Sequence, residues 1–368
     1  MVVNQPPSCG SSETTRKAPL LVNFYKYGHA PHVPRISECF LEWFIGFFEG
    51  DGSFFSYFEN ATTQNIRLKA TIVQKEKKII TTIQQTFGFG NLSSFEKNGT
   101  TYWRWVVESK PALERLAFLF SGNLILPKRQ KQFLNWIDLG QKKGMFQYPF
   151  DRNQPWTAKV SLNNGWLSGF IDAEGCFYAS FQHSFNKINS SYKLKQKMTL
   201  TQRDINGGEE AIFQQILYLL ETPQKKIARF HKSEDCATRN PPNHKIPFSQ
   251  SISIAQSAIP PIESIDSLER PSITPKSITP SEKLPIKQNS IYIRIEIWCL
   301  KSQEIVINYL LKYKLRTQKY IAFRRWWRVY LRRKEGIHLS EKGIQRLWRL
   351  VKSINIHTKQ LVNEKQAD

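Results

Sequence analysis

Two stretches, WFIGFFEGDGSF at residues 43–54 and WLSGFIDAEGCF at residues 166–177, repeat one pattern and decide the fold. Each is an apolar run with a small residue at every fourth position, followed by an acid, a glycine and an aromatic segment. Small residues spaced four apart leave a flat stripe on a helix, so two such helices can pack almost backbone to backbone. This packing predicts that the two acids, Asp51 and Glu174, meet at the helix C-termini, where paired carboxylates favour a divalent metal site.

The residues after the first stretch predict a sheet interrupted by one helix. Residues 65–74 alternate between apolar and polar side chains, as a half-buried strand does, and a helix is predicted over residues 77–87. Farther on, the pair Asn98-Gly99 is a strong signal for a β-hairpin, and an aromatic strand follows at residues 102–105.

The same order recurs after the second stretch. Gln202 takes the place of Gln74, and it is preceded by a run in which basic and apolar residues alternate. Tyr292 then takes the place of Tyr102. The chain therefore contains two copies of one structural unit.

The second copy holds an insertion that the first copy lacks. The sequence separation between matching residues of the two copies is larger at the aromatic strand than at the acids. Residues 233–289, which lie between these two points in the second copy, are rich in proline and serine. Proline cannot continue a central strand or a long helix, so this stretch is predicted to be a surface excursion with little fixed structure. The strand before the excursion is predicted at residues 227–231, in the place of residues 91–95.

The charge of the chain indicates a polyanionic partner. The 368 residues include 53 Lys and Arg against 30 Asp and Glu, a formal net charge of +23. Many of the basic residues occupy alternate positions of predicted strands, as expected where one face of a sheet lies along nucleic acid. The alternative is that these positions form the solvated face of a half-buried sheet, although such a face would normally mix both signs.

Several other classes of protein are excluded by composition. The five cysteines are widely scattered, without the paired spacing of a zinc site or a disulfide framework. No apolar run is long enough to cross a membrane, so no membrane partner is predicted. The start of the chain lacks the charged and apolar regions of a secretory signal.

Together these motifs resemble the LAGLIDADG homing endonucleases, in the single-chain form with two motifs that organellar group I introns encode. The resemblance implies an α+β fold of two pseudo-symmetric αββαββα repeats, with saddle-shaped antiparallel sheets and motif helices packed at the repeat interface. The predicted segments are a poorly ordered extension at 1–37, a first repeat at 38–150, a second repeat at 156–335 and a basic helical tail at 336–368.

The resemblance also implies the chemistry. The family cuts both strands of a long, asymmetric double-stranded DNA target across the minor groove and so promotes intron mobility, with Mg²⁺ as cofactor. The implied metal ligands are Asp51 and Glu174, and the implied catalytic residues are Asp51, Glu174, Gln74, Gln202, Lys128 and Lys319. The predicted DNA-binding residues are Asn65, Arg67, Lys69, Thr71, Arg104, Lys193, Lys195, Lys197, Thr199, Tyr292 and Arg294.

Among the implied catalytic residues, the two lysines are the least specifically indicated by the sequence. Lys128 matches the family's basic residue near the scissile phosphate, but a solvated lysine at a helix start explains it equally well. In the second copy Gln318 takes the place of Lys128. Either Lys319 fills the role from the next position, or the second site has no such base.

Two other functions remain open at this stage. Some family members are RNA maturases that help their own group I intron to splice, so host intron RNA is a possible partner. A non-catalytic DNA-binding protein is the third alternative, and intact acids and glutamines in both copies argue against it. We predict a monomer encoded in an organelle, because composition suits an AT-rich genome, but composition does not separate mitochondrion from chloroplast.

Overall fold

The computed structural model describes residues 20–58, 66–185, 190–204, 207–222, 227–231 and 291–354. After a short N-terminal segment, these residues form two repeats with the same order of elements. The first repeat consists of α2 (Glu38–Asp51), β1 (Gly52–Phe58), β2 (Ile66–Gln74), α3 (Lys77–Phe87), β3 (Asn91–Lys97), β4 (Thr100–Val107), α4 (Lys110–Phe120) and α5 (Pro127–Lys142). The second consists of α6 (Trp166–Glu174), β5 (Gly175–Phe185), β6 (Ser190–Asp204), α7 (Glu210–Leu219), β7 (Ala228–His231), β8 (Ile291–Ile297), α8 (Leu300–Lys312) and α9 (Lys319–Lys334).

Each repeat contains one four-stranded antiparallel sheet. The strand orders are β1-β2-β4-β3 and β5-β6-β8-β7, so the two sheets have the same topology. The predicted α+β fold with two αββαββα repeats is confirmed, and each repeat adds one more helix, α5 or α9, after the predicted pattern. The helices cover one face of each sheet. As a result, every second residue of β2 and β8 is buried.

Local sequence explains the boundaries of these elements. The helix predicted over residues 77–87 is α3, and it ends where Gly88 adopts a left-handed conformation. The predicted hairpin is also present: Asn98 and Gly99 both have positive φ and join β3 to β4 in two residues. The strand predicted at residues 227–231 is β7, which pairs with β8.

The small residues of the motif helices allow α2 and α6 to touch along their backbones. A Cβ added to Gly46 would lie 2.0 Å from the carbonyl oxygen of Trp166, and one added to Gly169 would lie 1.8 Å from that of Trp43. No side chain fits at either position. The stripe predicted from the sequence is therefore the contact surface between the two repeats.

The first repeat has an aromatic core beneath its sheet. The ring of Phe48 lies 4.7 Å from Phe54 and 4.6 Å from Phe120, so residues of α2, β1 and α4 meet at one point. In the second repeat, Phe177 packs between Phe323 and Trp326 of α9. Burial of these large rings anchors the motif helices to their sheets.

The N-terminal extension is ordered over part of its predicted length. Residues 20–28 form a short α-helix, α1 (Leu20–Asn23), that continues as a turn of π-helix. This segment packs on α4, and Arg115 donates hydrogen bonds to the carbonyls of Gly28 and His29. The prediction of a poorly ordered extension over residues 1–37 is therefore wrong for the described part, because buried Phe24 joins the core. Residues 1–19 lie outside the described residues.

The described part of the C-terminal tail contains a 3-10 turn (Ile337–Leu339) and one α-helix. α10 (Glu341–Ser353) covers the outer part of β5, where Trp348 stacks on Phe181 at 5.3 Å. The rest of the tail, the predicted insertion at 233–289 and Asn65 lie outside the described residues. Among the helices that are described, none is both long enough and apolar enough to cross a membrane.

Candidate active site at the helix interface

Asp51 and Glu174 lie at the C-terminal ends of α2 and α6, as predicted. A Cβ added to Gly50 would lie 3.2 Å from Cγ of Glu174, so the two helix ends are in direct contact. Both predicted glutamines point at these acids. The amide of Gln74 donates to Asp51 at 2.5 Å, and that of Gln202 donates to Glu174 at 3.1 Å.

A second pair of acids lies one helical half-turn earlier, and sequence reasoning missed it. Glu49 and Asp172 are buried at matching positions of the two motifs. The indole of Trp43 donates to Asp172 at 2.8 Å, and the indole of Trp166 donates to Glu49. Each motif helix therefore gives a donor to the acid of the other, and the two bonds cross the repeat interface.

The same two acids also hold the starts of α5 and α9. Glu49 accepts hydrogen bonds from the backbone amides of Ile125 and Leu126 at 2.8 and 2.6 Å. Asp172 accepts from the amide of Arg316 at 2.6 Å and from the hydroxyl of Thr317 at 2.5 Å. Amides at a helix start favour a negative charge, so each acid ties a motif helix to the helix that follows its sheet.

Helices α5 and α9 each contribute a positively charged side chain that contacts the C-terminal end of a motif helix. The guanidinium of Arg129 donates to the carbonyls of Glu49 and Gly50, at 2.8 and 3.0 Å. In the second repeat the ammonium of Lys319 donates to the carbonyl of Ala173, which occupies the position of Gly50, at 2.6 Å. Lys319 is therefore the counterpart of Arg129. The missing counterpart of Lys128 is the neutral Gln318, as the sequence indicated.

The electrostatics of the site disfavour two free carboxylates. Burial raises the pKa of Asp51 to about 7, and repulsion from Glu174 adds to this effect, while Lys319 and the Gln74 amide oppose it. Burial also raises the pKa of Glu174, against the opposing charges of Lys128 and Lys319. A divalent cation would remove this repulsion.

Lys128 lies at the start of α5, close enough to Glu174 for the two charges to interact. Burial and the neighbouring Arg129 lower the pKa of Lys128 to about 7, and the acids Glu174 and Glu209 act in the opposite direction. Its backbone amide donates to Glu209 at 3.0 Å, so the second repeat fixes the position of a residue from the first. Lys128 thus stands beside the acid of the opposite motif.

The donor set suits a hard divalent cation that takes further ligands from its substrate. The two candidate ligands, Asp51 and Glu174, both offer carboxylate oxygens, which such a cation prefers. No cluster of three or more His, Cys, Asp or Glu that could hold a metal ion occurs within the described residues. Two carboxylates alone would leave the coordination sphere of such a cation incomplete, so it would need further oxygen ligands.

The predicted DNA-binding residues that the structure describes lie on the sheet faces away from the helices. Arg67, Lys193 and Lys195 are exposed, whereas the alternate residues of β2 and β6 are buried. Two of the predicted lysines have acidic neighbours: Lys69 pairs with Glu108, and Lys197 pairs with Glu296. The remaining described members of the set share this outer face at partly buried positions: Thr71, Arg104, Thr199, Tyr292 and Arg294.

Sequence reasoning missed Glu49, Asp172 and Arg129. For the two acids a signal existed, since both lie two residues before the predicted metal ligand and recur in both motifs. For Arg129 the signal was weaker, because its offset to Lys319 was visible but the contact to a helix C-terminus was not. Their roles depend on partners more than 70 residues away in the chain.

Comparison with known proteins gives matches of sequence and of fold. Residues 44–139 match the family described as LAGLIDADG endonuclease. The chain is 33% identical over 168 residues to "Probable intron-encoded endonuclease 4" of Neurospora crassa, a match that covers 44% of this chain but 28% of that protein. It is 24% identical to "Probable intron-encoded endonuclease aI3" of Dictyostelium citrinum, over 53% of this chain and 88% of that protein. It is 27% identical to "Intron-encoded RNA maturase bI4" of Saccharomyces cerevisiae, over 37% of this chain and 19% of that protein.

Solved structures share the fold over most of the chain. The LAGLIDADG homing endonuclease I-SmaMI bound to cleaved DNA superposes with a TM-score of 0.54 at 15% identity, covering 87% of this chain and 97% of that one. I-SmaMI bound to an uncleaved DNA target in the presence of calcium ions gives 0.53 at 14% identity, covering 87% and 99%. At this level of identity the match shows the fold.

Proposed function

We propose that this chain, which belongs to the LAGLIDADG family, is a site-specific endonuclease that cuts both strands of a double-stranded DNA target as a monomer. One observation carries the proposal. Asp51 and Glu174 stand side by side at the C-terminal ends of a pseudo-symmetric helix pair, each with its own glutamine. Two equivalent sites on one chain suit the two antiparallel strands of a duplex.

The proposed cofactor is Mg²⁺, held by Asp51 and Glu174 together with phosphate oxygens of the DNA. An ion bound there would supply an activated water and would neutralise the charge of the leaving oxygen. The proteins with this fold include one studied on uncleaved DNA with calcium, a cation of the same oxygen-binding class.

The protein's own residues prepare the site for this chemistry. Gln74 and Gln202 hold the two carboxylates in fixed orientations. The side-chain carbonyl oxygen of Gln202 accepts the backbone amide of Arg203 at 2.8 Å and keeps one lone pair that could orient water. Arg129 and Lys319 bind the last carbonyls of the motif helices, and their positive charge favours ionised acids beside them. Lys128, beside Glu174, is the residue that can contact a scissile phosphate or hold a proton near neutral pH.

The sheets supply the binding energy in this proposal. Exposed basic residues such as Arg67, Lys193 and Lys195 line their outer faces and would neutralise phosphates along the duplex. Cutting an intron-less copy of the host gene would promote mobility of the intron. The intron-encoded relatives support an organellar gene, in a mitochondrion or a chloroplast.

Cleavage of DNA by variants of the two acids tests the proposal. Asp51→Asn and Glu174→Gln should each abolish double-strand cleavage in Mg²⁺, because each removes a charged metal ligand. Affinity for the target should stay within about tenfold, or ~1.4 kcal/mol, because neither acid belongs to the sheet faces. Full double-strand cleavage by both single variants would refute the metal assignment.

A second candidate function is that of an RNA maturase. The observation that favours it is a basic surface on α9, on the side away from the sheet. Arg324 and Arg328 are exposed there, whereas the matching positions of α5 hold Leu134 and Asp138. Rescue of splicing of the host intron RNA, lost in Arg324→Ala with Arg328→Ala while DNA cleavage persists, would support this function.

A further inference from the structure

The outer face of the first sheet carries an arginine held against a pair of aromatic rings. Phe95 on β3 and Tyr102 on β4 are opposite each other in the strand register, and their rings stack at 5.5 Å with an angle of 14°. The guanidinium carbon of Arg104 lies 4.7 Å from the centre of the Phe95 ring. We call these three residues the first arginine clamp.

The second sheet repeats this arrangement. Phe230 on β7 and Tyr292 on β8 are opposite each other, and their rings stack at 5.8 Å with an angle of 26°. The guanidinium carbon of Arg294 lies 4.8 Å from the centre of the Phe230 ring. These residues form the second arginine clamp. The two clamps match in all three residue types, although the segments around them differ in sequence.

Each clamp stands at the same place relative to its acid. Arg104 is opposite Val73, the residue before Gln74, which contacts Asp51. Arg294 is opposite Thr201, the residue before Gln202, which contacts Glu174. The pseudo-twofold axis between the motif helices therefore relates one clamp to the other. A duplex centred on the two acids would meet both arginines at equal distances from its middle.

The chemistry of a clamped arginine favours a base over a phosphate. A planar guanidinium held on an aromatic ring loses little rotamer freedom when it forms two parallel hydrogen bonds. The major-groove edge of guanine offers two acceptors, O6 and N7, at the spacing of that fork. A phosphate needs only a point charge, for which the exposed lysines of the same face suffice.

We infer that Arg104 and Arg294 each read one guanine, in opposite halves of the target and at equal distances from its centre. This inference rests on the proposed function, since it requires that the sheets lie along a duplex. The target is then asymmetric over most of its length but carries one symmetric pair of G·C base pairs near the cleavage site.

The two clamps differ in one hydrogen bond. Nε of Arg294 donates to the hydroxyl of Thr201 at 3.0 Å. Nε of Arg104 is buried without a partner among the described residues, and Val73 lies at the matching position. Arg294 is thus held more firmly. It should discriminate more strongly between bases than Arg104, and Val73→Thr should supply the missing acceptor and raise discrimination in the first half-site.

Selection from a randomised pool of DNA duplexes tests the inference. The full chain is incubated with the pool in calcium, and the bound duplexes are sequenced. We expect guanine at two positions equidistant from the centre. Arg104→Ala should remove one preference and Arg294→Ala the other, each by tenfold to a hundredfold. Arg152→Ala, the same charge change in the linker between the repeats, should alter neither.

One further variant separates reading of a base from other roles. Arg104→Lys keeps the charge without the fork, so it should bind the pool normally and lose its guanine preference. A uniform loss of binding to all sequences in the arginine variants would overturn the inference, as would guanines at unequal distances from the centre. If both preferences appear and no DNA is cut in Mg²⁺, the proposed endonuclease fails while the inference stands.

Discussion

At the scale of single residues, the crossed bonds between tryptophans and acids hold the two repeats together. Trp43 donates to Asp172 and Trp166 donates to Glu49, and both acids are buried. A hydrogen bond to a charged group contributes more than a neutral one, and a buried carboxylate without its donor is costly. These residues therefore act on stability through the interface that also carries the proposed metal ligands.

Trp43→Phe should destabilise the fold by about 1.5–3 kcal/mol more than a matched change elsewhere, because it removes the indole's hydrogen bond to the buried Asp172 carboxylate. The matched control is Trp136→Phe. Trp136 is equally buried, but its indole N–H has no hydrogen-bond partner in the part of the chain that the structure describes. Unfolding in urea measures both variants. Equal losses of stability would mean that packing alone explains the effect of Trp43.

The sequence predicted the acids and glutamines of the site better than the residues that hold them in place. Asp51, Glu174, Gln74 and Gln202 recur in register, and the structure brings each glutamine to its acid. The support from Arg129 could not be predicted, because it depends on how a helix start approaches the end of another helix. Local pattern carries no information on such a contact.

At the scale of elements, the pairing of α2 with α6 depends on the absence of side chains. The carbonyl oxygens of Trp43 and Trp166 fill the space in which a Cβ of Gly169 or Gly46 would lie. Backbone atoms cannot move aside as the end of a flexible side chain can, so the cost of a methyl group here is high.

Gly46→Ala should destabilise the protein by at least about 3 kcal/mol, because the added Cβ would lie 2.0 Å from a backbone oxygen. Gly99→Asn in the hairpin provides the contrast. No atom lies within 4 Å of a Cβ added there, and asparagine tolerates positive φ. Thermal unfolding of the two variants should separate them clearly. A small loss in Gly46→Ala would show that the helices can move apart.

The insertion of the second repeat starts and ends at one place in the sheet. His231 on β7 pairs with Ile291 on β8, so the chain leaves and re-enters between adjacent strands. The matching strands of the first repeat are joined by Asn98 and Gly99 alone. Loop closure costs only about 0.6 kcal/mol per doubling of length, so a long excursion at this point is tolerable.

Replacing residues 233–289 by Asn-Gly should therefore leave a folded enzyme that still cuts DNA, because the new turn reproduces the hairpin of the first repeat. Circular dichroism and cleavage of the target measure the two properties separately. A folded variant that no longer cuts would mean that the insertion contacts nucleic acid, and would strengthen the maturase alternative.

At the scale of the whole molecule, positive charge lies on two opposite sides. The sheets expose Lys193 and Lys195, and the helical side of the second repeat exposes Arg324 and Arg328. A duplex that follows the sheets contacts only the first set. The net charge of +23 thus overstates the charge available to DNA.

The salt dependence of DNA binding should separate these two sides. Lys193→Ala with Lys195→Ala should reduce the slope of log affinity against log salt by roughly 0.9 for each phosphate that the protein no longer neutralises. Arg324→Ala with Arg328→Ala, the matched change on the helical side, should leave the slope unchanged. A fall in slope in the second pair alone would place the DNA on α9 and reject the binding face proposed here.

The global fold was largely predictable because it is repeated. Two copies of one pattern supply independent evidence for each helix and strand, and α3, β7 and the hairpin at Asn98 all follow the sequence prediction. The ordered N-terminal segment was not predictable, because its contacts with α4 have no counterpart in the second repeat. The apolar residues of this segment pack against α4, and the sequence alone does not indicate that contact.

The crossed bonds between the motif helices also set a rule for exchanging halves between related proteins. A repeat taken from another chain must bring both the tryptophan that it donates and the acid that it offers, since Trp43 needs Asp172 and Trp166 needs Glu49. A half that matches in only one of these leaves one buried carboxylate without its donor from the other repeat. Compatible hybrids can therefore be selected in advance by inspecting four positions, without knowledge of the DNA that either parent recognises.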